Sequence, residues 1–466
     1  MTAQTRPDAT PDPGEDLARR RERRSWYWFD WANSAYVTTV QTVLLGPYLT
    51  SVAKQAACPG IDTDATCHTD LHVLGLPVSP GSLVFYVVTI STIFSALVLP
   101  VVGALADRIY HRKALMCGFA WAGSLSAAAM YLITGHDWQL GVVLTIIGNI
   151  ALGSALVIYY SFLVQIATPD ERDRVSSVGW SFGYLGGFIL LALNLVIVQG
   201  HTSFGLSTGQ AVRISLLSAG VWWAAFTLVP FLGLRDRPPL AGAGERAGQG
   251  NLLLASFSQL ANTLRHLRGY PQTLMFLAAY LFFNDGIQTV ISASSVYGSE
   301  QLGFSSSQLI ITILLVQFVA FGGALLFGRL AASYGAWRVI LSSLFLWTGV
   351  VTIGFFLPAH QFGLWLGLAT LIGIVLGGSQ ALSRSLYSQL IPAGREAEYF
   401  SLYQACERGT SWFGTLLFGV VQQVTDSYRW AIIALVVFFV LGGTLLAKVD
   451  VRQGIIDAGN PVPAVI

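Results

Sequence analysis

Five ionisable side chains stand inside runs of apolar residues: Asp30, Asp285, Arg384, Glu407 and Arg408. On insertion scales each costs roughly 2.5–3.5 kcal/mol at the centre of a bilayer, on the order of 12–18 kcal/mol for the five before pairing. Charges kept at that cost pair with one another, or line a wet cavity and hold ions and polar solutes. Depth along a helix, at about 1.5 Å per residue, sorts them. Arg384 precedes Pro392 by eight residues and Glu407 follows Tyr399 by eight, roughly 12 Å in each case. A short loop joins their helices, so the spacing predicts an Arg384–Glu407 ion pair, either fixed or opening during a working cycle. Arg408 points about 100° away from Glu407 and requires another partner.

Asp285 lies fourteen residues beyond Pro271, roughly 21 Å and near the midplane. Gln288, Thr289 and Ser292 follow at i+3, i+4 and i+7, a polar stripe that hydrocarbon would not accept. That pattern predicts a substrate or proton site at Asp285, with a buried hydrogen-bond centre as the plainer reading. Asp30 comes six residues after Arg24, about 9 Å along a helix. Asn33, Ser34, Val37 and Gln41 continue its face. It reads equally as an inner gate or as a carboxylate stabilising a helix N-terminus. Three acids against two bases leave one carboxylate without a fixed cation, a place for a proton or an ammonium group. Asn149, Tyr160, Trp180, Tyr184, Gln380 and Tyr403 complete the expected cavity lining. For the aromatics, ordinary helix packing is the competing reading.

The elements that must hold these groups are membrane helices. Hydrophobic residues make up 54% of the 466-residue chain and charged residues only 11%, against about 25% charge in soluble domains. Apolar runs near 26–53, 81–106, 112–134, 138–167, 174–199, 211–234, 272–298, 305–331, 336–358, 361–391, 399–424 and 428–449 are each long enough to cross a bilayer. The expected fold is an all-α membrane protein with twelve transmembrane helices in two pseudo-symmetric six-helix bundles. Residues 1–25 form a basic N-terminal segment, 26–234 the first bundle, 235–271 a linker, 272–450 the second bundle and 451–466 a tail. Arg19, Arg20, Arg21, Arg23 and Arg24 abut the first run, which puts both termini in the cytoplasm by the positive-inside rule. With that orientation only Lys54, Arg213 and Arg429 face outside.

The linker opens as RDRPPLAGAGERAGQG and continues with Leu253, Phe257, Leu260, Leu264 and Leu267 on one stripe. This reads as a helix lying on the inner membrane surface or packed under the bundles. GALADRIYHRK (103–113) after the second run is echoed by GRLAASYGAWR (328–338) after the eighth, and PDERDR is echoed by PAGREA. Such duplication suggests two bundles rocking about a site between them. Cys58 and Cys67, both in the 54–80 loop, are placed to form a disulfide in an oxidising exterior.

GALADRIYHRK resembles the loop signature of the major facilitator superfamily, with Asp107, Arg108, Arg112 and Lys113 at its acidic and basic positions. FDWANSAY (29–36), SSVGWSFGYLGG (176–187), YLFFNDGIQT (280–289) and PAGREAEYFSLY (392–403) are similar to the autophagy-related vacuole effluxer-like branch of that superfamily. The resemblance implies the major facilitator fold and a proton-linked exporter of amino acids or related small solutes. It casts Asp107, with Arg108 and Arg112, as a gate that meets a helix N-terminus or a base across the two halves. A solvated loop charge is the plainer reading of Asp107. Ala332 stands where the second loop would repeat Asp107, and Tyr184 where antiporters of the superfamily often carry Pro.

No phosphate-cradling loop, metal-spaced Cys/His cluster or nucleophile elbow appears, so neither an ATP-driven pump nor an enzyme is expected. No cofactor, metal or nucleic-acid partner is expected either; the expected partners are lipid, a small solute and protons. A proton-driven multidrug exporter and a non-transporting solute receptor are the rival readings. The arginine-rich composition without an organelle address points to a bacterial inner membrane.

Overall fold

In hydrocarbon every backbone N–H and C=O must be satisfied internally, so long apolar runs become helices. A computed structural model describes residues 13–60, 67, 69–73, 76–238, 265–409 and 412–466. Among them, ten helices are long and apolar enough to cross a membrane. The first and eleventh predicted runs are helical too. The first is α1 (Pro13–Ala35), a π-helix over Tyr36–Leu44, and α2 (Leu45–Ala57). Its start carries the arginine cluster. In the eleventh the described residues form α12 (Glu396–Gly409) and α13 (Trp412–Thr425), and the first of these holds Glu396, Glu398, Glu407 and Arg408.

Between these lie α3 (Leu83–Ala106), α4 (Arg112–Ala129), α5 (Trp138–Ile166), α6 (Arg172–Gln199) and α7 (Thr208–Gly233) in the first half. The second half runs through α8 (Pro271–Val296), α9 (Ser306–Tyr334), α10 (Ala336–Phe356) and α11 (Phe362–Gln389), then α14 (Tyr428–Ala434) and α15 (Val436–Ala447), and α16 (Val451–Asp457) follows. The expected linker helix falls largely on 239–264, outside the described residues; Leu267–Gly269 is a single 3-10 turn. One departure from all-α structure is a small antiparallel hairpin, Leu71–Val73 with Leu76–Val78. It sits in the loop where Cys58 and Cys67 are joined by a disulfide, their Cα atoms 6.1 Å apart.

The halves meet in a symmetric pattern. Helix α3 packs on α12, and its counterpart α9 packs on α6. The repeated glycines permit both approaches. A Cβ on Gly103 would collide with Ala397 O and Ser401 Cβ, and one on Gly328 with Ser177 Cβ. These are the first residues of the two echoing loops, so the duplication is visible as one contact made twice. After α16, Asn460 donates to the carbonyls of Gln389 and Ile391, both at 2.8 Å, and the N–H of Ala464 donates to Asp170 Oδ1 at 2.7 Å. The tail therefore touches both halves at the arginine-rich face.

Gly103→Val and Gly328→Val should each destabilise the protein by about 1–3 kcal/mol through overpacking. Gly118→Val, at a helical site with open space around it, should cost far less. Thermal unfolding of the three purified variants checks the contrast.

Candidate functional site

A cavity of about 550 Å³ lies between the halves. Asn33, Gln41, Asn149, Tyr160, Trp180 and Tyr184 line it from the first half; Gln288, Gln317, Gln380, Glu407 and Arg408 line it from the second. Leu45, Leu49, Val84, Leu309 and Trp365 form its walls at the helix ends remote from the arginine cluster. The π-helix helps to build this wall, because its wider turn displaces the residues that follow. Gln41 and Tyr36 both reach Asn149 Oδ1, the tyrosine hydroxyl from 3.3 Å. Gln317 donates to Thr38 Oγ1 at 2.6 Å, a polar contact across the cavity between halves.

The opposite, arginine-rich face is closed. Both oxygens of Asp107 accept backbone N–H groups from the first turn of α12, Ala397 at 3.1 Å and Glu398 at 2.8 Å. An anion is favoured there because the unsatisfied N–H groups of a helix start point at it. Arg112 lies 3.5 Å from Asp107 and 3.9 Å from Glu396, and Arg108 is half-buried beside them. Around the pseudo-symmetric contact, Arg172 donates to Ser388 O at 2.9 Å and Gln389 donates to Pro169 O at 2.9 Å. Ser385 donates to Asp173 as well.

The fully buried Arg384 does not pair with Glu407. Its Nη1 is 3.2 Å from Asp30 Oδ2, its Nε donates to Ser176 Oγ at 2.9 Å and its Nη2 donates to Ser176 O at 2.9 Å. The Tyr159 hydroxyl donates to the same Asp30 oxygen at 2.7 Å. The guanidinium also lies over the rings of Trp26, at 4.8 Å, and Tyr160, at 4.9 Å. Depth placed Arg384 and Glu407 at one level, but it carries no rotation about the helix axis, and Arg384 points across to the first half. Asp30 is correspondingly not a helix-end carboxylate: α1 begins at Pro13, so Asp30 lies well inside it.

Two expected lining residues lie elsewhere. Asp285 does not line the cavity; it is fully buried against α13 and accepts the Gly414 N–H at 2.8 Å through Oδ2. Its predicted stripe splits, since Gln288 faces the cavity while Thr289 is buried near Gly414 and Ser292 is exposed. Tyr403 is stacked 4.1 Å from Tyr280 and 5.1 Å from Tyr387, inside the second half rather than on the cavity. Arg408 finds its partner in Gln404, whose Oε1 accepts from Nε at 3.1 Å. Gln404 in turn donates to Glu407. Sequence reasoning passed over Trp26, Tyr159, Ser176 and Gln317. Only Gln317, a polar side chain within the apolar eighth run, carried a readable signal.

With this geometry in view, the profile described as "Vacuole effluxer Atg22 like" matches residues 18–459. The chain belongs to that family. Its place in the major facilitator superfamily is the branch that the sequence resembled. The uncharacterized MFS-type transporter YxiO of Bacillus subtilis is 29% identical over 432 residues, covering 92% of this chain and 95% of its own. Autophagy-related protein 22 of Pyricularia oryzae is 26% identical over 537 residues, covering 96% and 78% respectively. Among solved structures, the human organic anion transporter MFSD10 superposes with a TM-score of 0.64 at 16% identity, over 92% of this chain and 99% of its own. FucP in the outward conformation gives 0.63 at 14% identity, with the same coverage. At these identities the likeness establishes the fold, a multi-pass major facilitator architecture.

Arg384→Met strands the Asp30 carboxylate in the interior and should cost about 3–5 kcal/mol of stability. Adding Asp30→Asn to it should recover much of that loss, since a neutral pair needs no counter-charge. Equilibrium unfolding in mixed micelles checks both.

Proposed function

We propose that this chain is a secondary active transporter that exports a small solute, an amino acid or related compound, by alternating access coupled to protons. The observation that carries the reading is the cavity walled by both halves and sealed on one face by Asp107 and Arg172. A chamber sealed on one side becomes a carrier when the two halves rock about it. The family's description as a vacuole effluxer supports solute transport as such. In this reading the arginine-rich face looks into a bacterial cytoplasm, both termini lie there, and the Asp107 contact is the inner gate.

Asp285 is the proposed coupling carboxylate. Among the described residues its Oδ1 has no hydrogen-bond partner and no base forms an ion pair with it. A proton is the smallest counter-charge such a group can take. Gln288, less than one turn further on, faces the cavity.

Proteoliposomes screened with amino acids, with and without a pH gradient, test the reading. Asp285→Asn should lower gradient-driven accumulation at least tenfold while sparing solute exchange without a gradient. Unchanged gradient-driven transport in Asp285→Asn would remove the proton assignment, and a wild type that moves no small solute would remove the whole reading.

A further inference from the structure

We propose that Arg408 is the anion anchor of the cavity, and that the solute it receives carries a carboxylate on an aliphatic body. This rests on the transport reading above but adds to it the residue that receives the solute's carboxylate. Arg384 does not line the cavity, and its charge is met by Asp30. Among the described residues that line the cavity, Arg408 is the one Lys or Arg. Its Nε is held by Gln404, and among the described residues its terminal nitrogens make no hydrogen bond and no ion pair. Gln404 is itself fully buried. The guanidinium is thus oriented at its root and open at its fork.

A planar fork of N–H groups matches a carboxylate in bidentate fashion, with geometry that an ammonium group cannot reproduce. Elsewhere Val37, Val87, Val316, Ile372 and Leu376 give the wall aliphatic patches between polar side chains such as Ser91, Thr145 and Gln317. A cation on such a wall is costly unless water or an anion meets it. A carboxylate-bearing solute supplies the anion and places its apolar part against those side chains. Glu407, one residue along the same wall, is held by Gln404 and offers a place for an ammonium group on the same solute.

Three probes of one shape separate the charges: L-leucine, 4-methylpentanoate, which lacks the ammonium, and L-leucinamide, which lacks the carboxylate. Thermal stabilisation of the purified full chain in detergent reads binding. Leucine and 4-methylpentanoate should stabilise the wild type more than leucinamide does. Arg408→Gln should weaken both carboxylate responses about tenfold or more, leave the leucinamide response unchanged, and keep the ligand-free melting temperature close to that of the wild type. Arg408→Lys, which keeps the charge and loses the fork, should recover part of the response. An equal or stronger leucinamide effect, an undiminished carboxylate response in Arg408→Gln, or no carboxylate response in the wild type would each overturn the assignment. Export of a neutral or cationic solute alongside any of these leaves the transport reading standing. Arg408-dependent carboxylate binding with no flux of any solute would instead fell the transport reading and keep the anchor.

Discussion

A guanidinium with no access to water must be met on every side, and at Arg384 the two halves of the molecule do this together. Its helix belongs to the second half, while Asp30, Ser176 and the rings of Trp26 and Tyr160 belong to the first. Removing water from both charges costs several kcal/mol per ion, and only close pairing with further hydrogen bonds offsets it. In this conformation the cluster sets how α1, α6 and α11 meet and forms the floor on which the cavity rests. Asp30 is shared by both features, since it pairs with Arg384 and also lines the chamber.

Beyond that floor, closure toward the arginine-rich face is a set of helix-end contacts repeated by pseudo-symmetry. Gly103 and Gly328 bring backbones together, and Asp107 and Arg172 satisfy exposed backbone groups of the opposite half. Close backbone packing at the glycines is combined there with short hydrogen bonds at helix ends. Helix-terminus hydrogen bonds of this kind can each be exchanged for water at modest cost.

The helices were legible in the sequence because hydrocarbon dictates their length and forbids other backbone structure. The echo of GALADR in GRLAAS was legible too, and it marks the twin glycine contacts. What remained hidden was rotation about helix axes. Depth alone paired Arg384 with Glu407, although Asp30 across the interface holds it. Asp285 and Gln288 were placed on one wall, yet three residues of helix leave about 60° between them, enough to send one into α13 and the other into the chamber. The π-helix at Tyr36–Leu44 carries no Gly or Pro within it, so nothing in its residues announced the extra width that positions Gln41.

In the transport cycle proposed above, the two halves rock reciprocally about the chamber. Distances between spin labels test it most directly, in lipid nanodiscs and with Cys117 and Cys406 replaced by serine. One label pair sits at Asp170 and Ala393 on the arginine-rich face, the other at Gln55 and Gly363 on the far side; all four positions are exposed. Reciprocal rocking gives two populations in each pair, with conditions that lengthen the first distance shortening the second. A single unchanging distance in both pairs, or two distances that grow together, would contradict it.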